Sequence, residues 1–134
     1  MIALPGAGME FRWRLALLGI AALAVLLYLP TLPHGLVWDD PLLVRYMEGR
    51  VRSGGGAELL ASDFRLYPRD PLGYYRPVPM LSLWFDRLLS GVFPYSFHLT
   101  NVALHAGVSV LAACAGRGIT GSALAGSLSG LLFA

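Results

Sequence analysis

The sequence predicts an all-α, polytopic transmembrane helical bundle, and its composition and apolar pattern support this fold class. The 134-residue chain is 56% hydrophobic but only 13% charged, whereas a soluble domain typically carries about 25% charged residues. The apolar residues form charge-free runs close to the roughly 20 residues that a membrane-spanning helix needs. The net charge is only +2, and the ten basic residues, all arginine, are scattered along the chain. This distribution argues against nucleic-acid binding.

The first predicted element is a transmembrane helix at 13–31, after a cytoplasmic N-terminus at 1–12. Residues 15–33 contain no charge, and Arg12 and Arg14 precede them, so the positive-inside tendency places the N-terminus in the cytoplasm. A cleaved signal peptide is the alternative. The run is long for a signal peptide and no small-residue cleavage pattern follows it, which favours an uncleaved anchor.

An extracytoplasmic loop is predicted at 32–95, and its first helix lies near 41–50. The loop is nearly neutral, with seven arginines and seven acidic residues. Asp40 suits the N-cap of this helix, and Pro41 suits its first helical position.

A second short helix is predicted in the loop near 79–91. Trp84 and Phe85 in this segment are typical of a helix lying at a membrane interface. The glycine-rich segment at 52–58, "RSGGGAE", is expected to be a flexible break between the two helices.

Two further membrane-spanning segments are predicted in the C-terminal third. The second span is expected at 96–116, and Arg117 then falls on the cytoplasmic side, in agreement with the positive-inside tendency. Residues 117–134 begin a third span that is rich in Gly, Ala and Ser, a composition that favours close helix packing in lipid. The sequence ends inside this span, so we expect it to be the N-terminal part of a longer protein.

Two adjacent carboxylates, Asp39 and Asp40, follow the first span. Capping of the next helix explains one carboxylate, and Asp40 is the better candidate for that role. Asp39 follows Trp38, a residue type that anchors at membrane interfaces. A carboxylate at that depth can act as a general base toward an acceptor in the aqueous phase. Both interpretations, capping and catalysis, are open for the pair.

Arg76 lies in "YYRPVP", where the following proline predicts extended backbone. A guanidinium group binds phosphate through a planar fork of donors, which makes Arg76 a candidate phosphate ligand. The alternative is a structural arginine that pairs with Asp70 or Asp86 or faces solvent.

Three polar residues, His98, Asn101 and His105, are spaced i, i+3 and i+7, which places them on one helix face. Polar residues in a membrane span normally face the bundle interior or a watery cavity. We expect His98 and Asn101 to share a cavity with Asp39. Interhelical hydrogen bonding is the alternative, and the spacing predicts no metal site.

The order of these motifs resembles a known family. "GLVWDDPLLV", "SDF", "YYRPVPMLSLWFD" and "GVFPYSFHLTNVALHA" together are similar to the opening third of the GT-C glycosyltransferases. The closest resemblance is to the bacterial O-mannosyltransferase-like group, including members that carry tetratricopeptide repeats. In that family an acidic motif in the first outer loop is essential for transfer, and it matches Asp39 and Asp40. The resemblance also implies a polyprenyl-phosphate-linked sugar donor and inversion at the sugar carbon.

The resemblance therefore implies that the sequence is the N-terminal part of an integral-membrane glycosyltransferase in a bacterial inner membrane. The expected acceptor is a protein or glycan on the extracytoplasmic side. Asp39 and Asp40 are the expected catalytic residues, Arg76 the donor-phosphate ligand, and the polar residues of the second span the cavity lining. A divalent metal is possible but is not required by the residues. A non-catalytic membrane scaffold and a transporter fragment are the rival functions.

Overall fold

Every regular element in the computed structural model is helical over the residues that it describes, 7–61, 75–91 and 93–134. The prediction of an all-α fold is thus confirmed for these residues. Short 3-10 helices lie at Leu29–Thr31 and Ala57–Leu60. The α-helices are α1 at Ala7–Tyr28, α2 at Asp40–Arg52, α3 at Pro77–Ser90, α4 at Pro94–Thr120 and α5 at Ala123–Phe133.

The chain forms two compact units. The terminal unit comprises the described part of Met1–Thr31 together with Asn101–Ala134, and the central unit comprises Leu32–Thr100. Helix α4 contributes residues to both units.

Two helical segments are long and apolar enough to cross a membrane, Gly8–Thr31 and Pro94–Thr120. Their most apolar stretches are only 11% and 22% buried, whereas the core helix of a soluble protein is mostly buried. By length and composition, these two helices suggest a membrane protein. Helix α5 has 11 residues and would rise only about 16 Å, so a third span is not confirmed. Helix α1 begins at Ala7, which makes part of the expected N-terminal tail helical.

Glycines bring α4 and α5 of the terminal unit into close contact. A Cβ atom added at Gly126 would lie 2.6 Å from the carbonyl oxygen of Ala113, and one at Gly130 would lie 2.8 Å from the Ala113 Cβ. The side chain of Ser122 caps α5 by accepting a hydrogen bond from the Ala125 N–H at 3.3 Å. The Gly/Ala/Ser composition thus gives the close helix packing predicted for this segment.

A second set of contacts in the terminal unit joins α1 to α4 through Arg117. Its Nη2 donates a hydrogen bond to Glu10 Oε1 at 2.5 Å. Its guanidinium carbon lies 4.7 Å from the centre of the Trp13 ring, a cation–π contact. Arg117 therefore has both a charged partner and an aromatic one.

The central unit has its own small hydrophobic core between α2, α3 and the second 3-10 helix. Met47 at its centre is fully buried, and the surrounding side chains are Leu43, Tyr46, Leu59, Met80, Leu81, Leu83 and Trp84. The two helices expected near 41–50 and 79–91 are thus present. Their placement at a membrane interface stays a prediction.

The glycine-rich segment at 52–58 links the end of α2 to the second 3-10 helix, and its expected flexibility stays a prediction. Gly55 and Gly56 are both buried, and a Cβ atom at Gly56 would lie 2.6 Å from Trp84 Cζ2. Glycine at position 56 lets the backbone approach the indole ring closely, whereas the other residues of the segment, 52–54, 57 and 58, are exposed.

Candidate functional site

A closed turn presents the acidic pair at the start of α2. The Asp40 N–H donates to the Val37 carbonyl at 3.1 Å, and the Val37 N–H donates to the Asp40 carboxylate at 3.1 Å. Between them, Trp38 has a φ of +55°, in the left-handed region that bulky side chains rarely adopt. That conformation costs about 1–2 kcal/mol for a residue with a Cβ atom. Trp38 is also 95% exposed, so burial of its indole does not offset this cost.

The two acidic side chains have different structural roles. Helix α2 starts at Asp40, and Asp39 holds the N-cap position with φ −81° and ψ −14° but makes no side-chain capping bond. The predicted N-cap at Asp40 is therefore wrong, because the Asp40 carboxylate turns back to the Val37 amide instead of forward into the helix. Asp39 is exposed, and its carbonyl accepts the Leu42 and Leu43 N–H groups, each at 3.0 Å.

His98 connects α4 to the segment that leads into this turn. Its Nε2 lies 3.1 Å from the carbonyl oxygen of His34, which is 64 residues away in the chain. A carbonyl oxygen only accepts hydrogen bonds, so this ring nitrogen must carry a proton. Among the three polar residues predicted on α4, the structure joins His98 to the segment that precedes Asp39.

A second bond joins the same part of α4 to α3. The Thr100 hydroxyl donates to Asp86 Oδ1 at 2.6 Å, and Asp86 is only 6% exposed. Burial raises the pKa of the Asp86 carboxyl above its ordinary value, and the hydrogen bond from Thr100 lowers it, with a net increase.

Sequence reasoning considered Asp86 only as a partner for Arg76 and missed its bond to Thr100. A usable signal was available, because Asp86 follows the apolar stretch "LSLWF", and a buried carboxylate needs a hydrogen-bonding partner. Asp70, the other proposed partner, lies outside the described residues.

Arg76 precedes the first turn of α3 and is exposed. Its φ of −134° and ψ of 64° are non-helical, but this ψ lies below the range of about 120–160° that a following proline favours. The predicted extended backbone at Arg76 is therefore not found. The neighbouring Tyr75 hydroxyl donates to the Leu60 carbonyl at 2.8 Å. This bond ties the entry to α3 to the second 3-10 helix.

The other two polar residues of α4 belong to the terminal unit. The His105 ring makes an edge contact with the Tyr28 ring, with 4.7 Å between the ring centres, and stacks on the Phe133 ring, with 5.5 Å between the ring centres. Its Nε2 lies 3.1 Å from the Ala134 carbonyl oxygen. Asn101 is exposed. The cavity predicted for His98, Asn101 and Asp39 stays a prediction.

Within the described ranges, no group of three or more His, Cys, Asp or Glu side chains is arranged to hold a metal ion. Among the acidic residues in these ranges, Asp39 and Asp40 are the two that are neighbours in the sequence.

Comparison with known proteins connects the chain to one group of transferases. It is 34% identical over 121 residues, 88% of the chain, to protein O-mannosyl-transferase Tmtc1 of Drosophila melanogaster. It is 31% identical to protein O-mannosyl-transferase tmtc2 of Xenopus laevis, and 29% identical to TMTC2 of Mus musculus, each over 85% of the chain. The chain spans about 14% of the length of these relatives. No family model and no solved structure matches it.

The homologues are therefore protein O-mannosyl-transferases, and the resemblance drawn from the sequence motifs is confirmed at that level. These relatives come from animals, so the comparisons give no support to the bacterial membrane expected from the sequence.

Proposed function

We propose that this chain is part of an integral-membrane glycosyltransferase that moves a sugar from a polyprenyl-phosphate donor to an acceptor hydroxyl. The observation that carries the proposal is the similarity to protein O-mannosyl-transferases over most of the chain. The acidic pair lies in an exposed turn of that chain. The names of the relatives make mannose the first sugar to test and a protein the first acceptor to test.

The proposed topology places the arginine-flanked start of α1 in the cytoplasm and residues 32–95 on the opposite side. Arg12, Arg14 and Arg117 support it through the positive-inside tendency. A donor phosphate held at headgroup depth on the outer side would lie at the level of the first loop, where Asp39 is exposed.

Inverting transfer requires one displacement at the anomeric carbon. The acceptor oxygen forms a bond to that carbon, and the bond from carbon to the phosphate oxygen breaks with both electrons leaving on the phosphate. Asp39 takes the acceptor's proton as general base, a role that contributes about 10²–10⁴-fold in rate. Arg76 offsets the charge that develops on the leaving phosphate through its fork of N–H donors.

The geometry supports different roles for the two acids, with Asp40 positioning the turn and Asp39 acting as the general base. Asp40 uses its carboxylate to close the turn with Val37, so its role is positioning. Asp39 is exposed and directly follows the exposed Trp38, so its carboxylate is the one proposed to meet an acceptor in the aqueous phase. An asparagine at 40 keeps an oxygen for the Val37 N–H, whereas an asparagine at 39 loses the base.

The test compares these two variants in the full-length protein reconstituted with polyprenyl-phosphate mannose and a hydroxyl acceptor. We expect Asp39→Asn to lower transfer by at least about a hundredfold without changing the melting temperature. Asp40→Asn should keep most of the activity. Normal transfer by the Asp39 variant would overturn the assignment of the base. A wild-type protein that transfers no sugar from any polyprenyl phosphate would point instead to a scaffold.

A further inference from the structure

We propose that His98 is a positioning residue, whose ring N–H fixes the segment before the acidic turn and thereby places the Asp39 carboxylate. This inference rests on the proposed function, in which Asp39 is the general base. It assigns His98 an action through the loop backbone instead of direct contact with the sugar.

The segment ahead of the acidic turn gains little from burial. Residues 34–37 adopt no regular secondary structure, and His34, Gly35 and Val37 are exposed, as is Trp38. Segments with few buried contacts open at low free-energy cost. A long-range hydrogen bond to the His34 carbonyl therefore has a large share in fixing the path of the chain toward Asp39.

The donor of that bond is itself firmly held. Phe97, next to His98, is buried, and Thr100 bonds to the buried Asp86 of α3. Burial of Phe97 and the Thr100–Asp86 bond thus fix the start of α4 close to His98. A ring held on a tied helix can hold the segment in one place, because little rotamer freedom remains to be lost.

The chemistry of the bond defines what a replacement must retain. The neutral tautomer with a proton on Nε2 and the imidazolium both donate from that atom, so the role needs a donor at this position and no particular charge. Glutamine carries amide N–H donors at a comparable reach, whereas phenylalanine keeps a ring of similar shape without any donor.

The experiment uses the full-length protein with the variants His98→Phe and His98→Gln, and Leu99→Ala as the matched control on the exposed face of α4. We expect the phenylalanine variant to lower kcat about tenfold, the loss equivalent to about one hydrogen bond, while KM for the donor stays within about twofold. Glutamine should restore at least half of the rate. Amide hydrogen exchange in residues 32–40 should speed up in the phenylalanine variant, but not in the glutamine or Leu99 variants.

Two results would overturn the proposal. One is a phenylalanine variant with wild-type rate and exchange, which removes any role for the bond. The other is a glutamine variant as slow as phenylalanine, which assigns the effect to the imidazole ring itself. If phenylalanine prevents folding, His98→Met, which also lacks an N–H donor, takes its place in the comparison with glutamine.

Failure of the proposed function would appear differently. Full transfer by Asp39→Asn in the same assay would show that Asp39 is not the general base. The hydrogen-exchange measurement would still report whether His98 holds the segment.

Discussion

The terminal and central units are stabilised by different kinds of contact. In the terminal unit, α5 meets α4 through glycines at backbone distance, and large apolar side chains such as Leu18 and Leu26 are exposed. In the central unit, α2 and α3 enclose a core of large side chains around Met47, with ion pairs such as Arg87–Glu48 at its edge.

The proposed topology, with the terminal unit in lipid and the central unit in water, offers a reason for this difference. In lipid, burying a leucine between helices gains little, because lipid tails are equally apolar, so helices gain from close backbone approach instead. In water, burying apolar side chains is the main source of stability. The contrast predicts that a methyl group added between helices lowers the free energy of unfolding most in the terminal unit. In the central unit we expect a smaller loss from an added methyl group, and a smaller effect again from the buried charge of Asp86.

The largest effect is expected for Gly126→Ala in the terminal unit. The new methyl group would lie 2.6 Å from the Ala113 carbonyl oxygen and 3.0 Å from the Arg117 nitrogen. Both are backbone atoms, so a helix must move as a whole. We expect a loss of about 2–3 kcal/mol in the free energy of unfolding, measured by thermal or denaturant unfolding in detergent.

The matched control is Gly118→Ala, because a Cβ atom there meets nothing within 4 Å. It should be neutral or slightly stabilising, since alanine favours helix by about 1 kcal/mol over glycine. Equal stability of the two variants would show that α4 and α5 do not pack closely.

A smaller effect is expected for Gly56→Ala in the central unit. Its methyl group would meet the Trp84 indole at 2.6 Å, and the glycine φ of −59° suits any residue, so the effect is purely steric. The indole can shift, and we expect a loss of about 1–2 kcal/mol and a change in tryptophan fluorescence. Gly49→Ala, with open space around it, is the control. A loss for Gly56→Ala larger than for Gly126→Ala would reverse the ranking of the two units.

The smallest effect is expected for Asp86→Asn, and it depends on pH. The folded protein holds the Asp86 proton to a pH above the ordinary pKa of 3.8, so wild-type stability falls as pH rises from there through the folded pKa. Asparagine has no proton to lose and still accepts the Thr100 hydrogen bond, so its stability lacks this fall. The advantage of the variant should therefore grow across this window, by about 1.4 kcal/mol for each unit of pKa displacement.

Unfolding curves of the two proteins at several pH values between about 3 and 8 measure this difference. A constant difference at all pH values would show that burial does not disfavour the Asp86 charge.

The features predicted correctly from the sequence are those encoded locally. The two candidate spans follow from charge-free runs, and α2 and α3 follow from proline at their first turns and from clustered apolar residues. The acidic pair Asp39 and Asp40 is visible in the sequence itself.

The features that sequence reasoning missed depend on contacts between distant residues. The His98–His34 bond joins residues 64 apart, and no local pattern indicates it. Burial of Gly56 depends on where α3 places Trp84. The N-cap was wrongly assigned to Asp40 because the cap rule assumes a carboxylate that turns into its own helix, whereas the Asp40 carboxylate turns back to the Val37 N–H.

The left-handed backbone at Trp38 makes the acidic turn a site at which amino-acid chirality matters. A φ of +55° is close to the mirror image of the ordinary helical value, so a D-amino acid would adopt it without strain. In a synthetic peptide covering residues 34–52, D-tryptophan at position 38 would favour the same turn, as D-residues do in designed hairpins. Such a mirror-image substitution would present the two carboxylates in their native order on a short, chemically made segment.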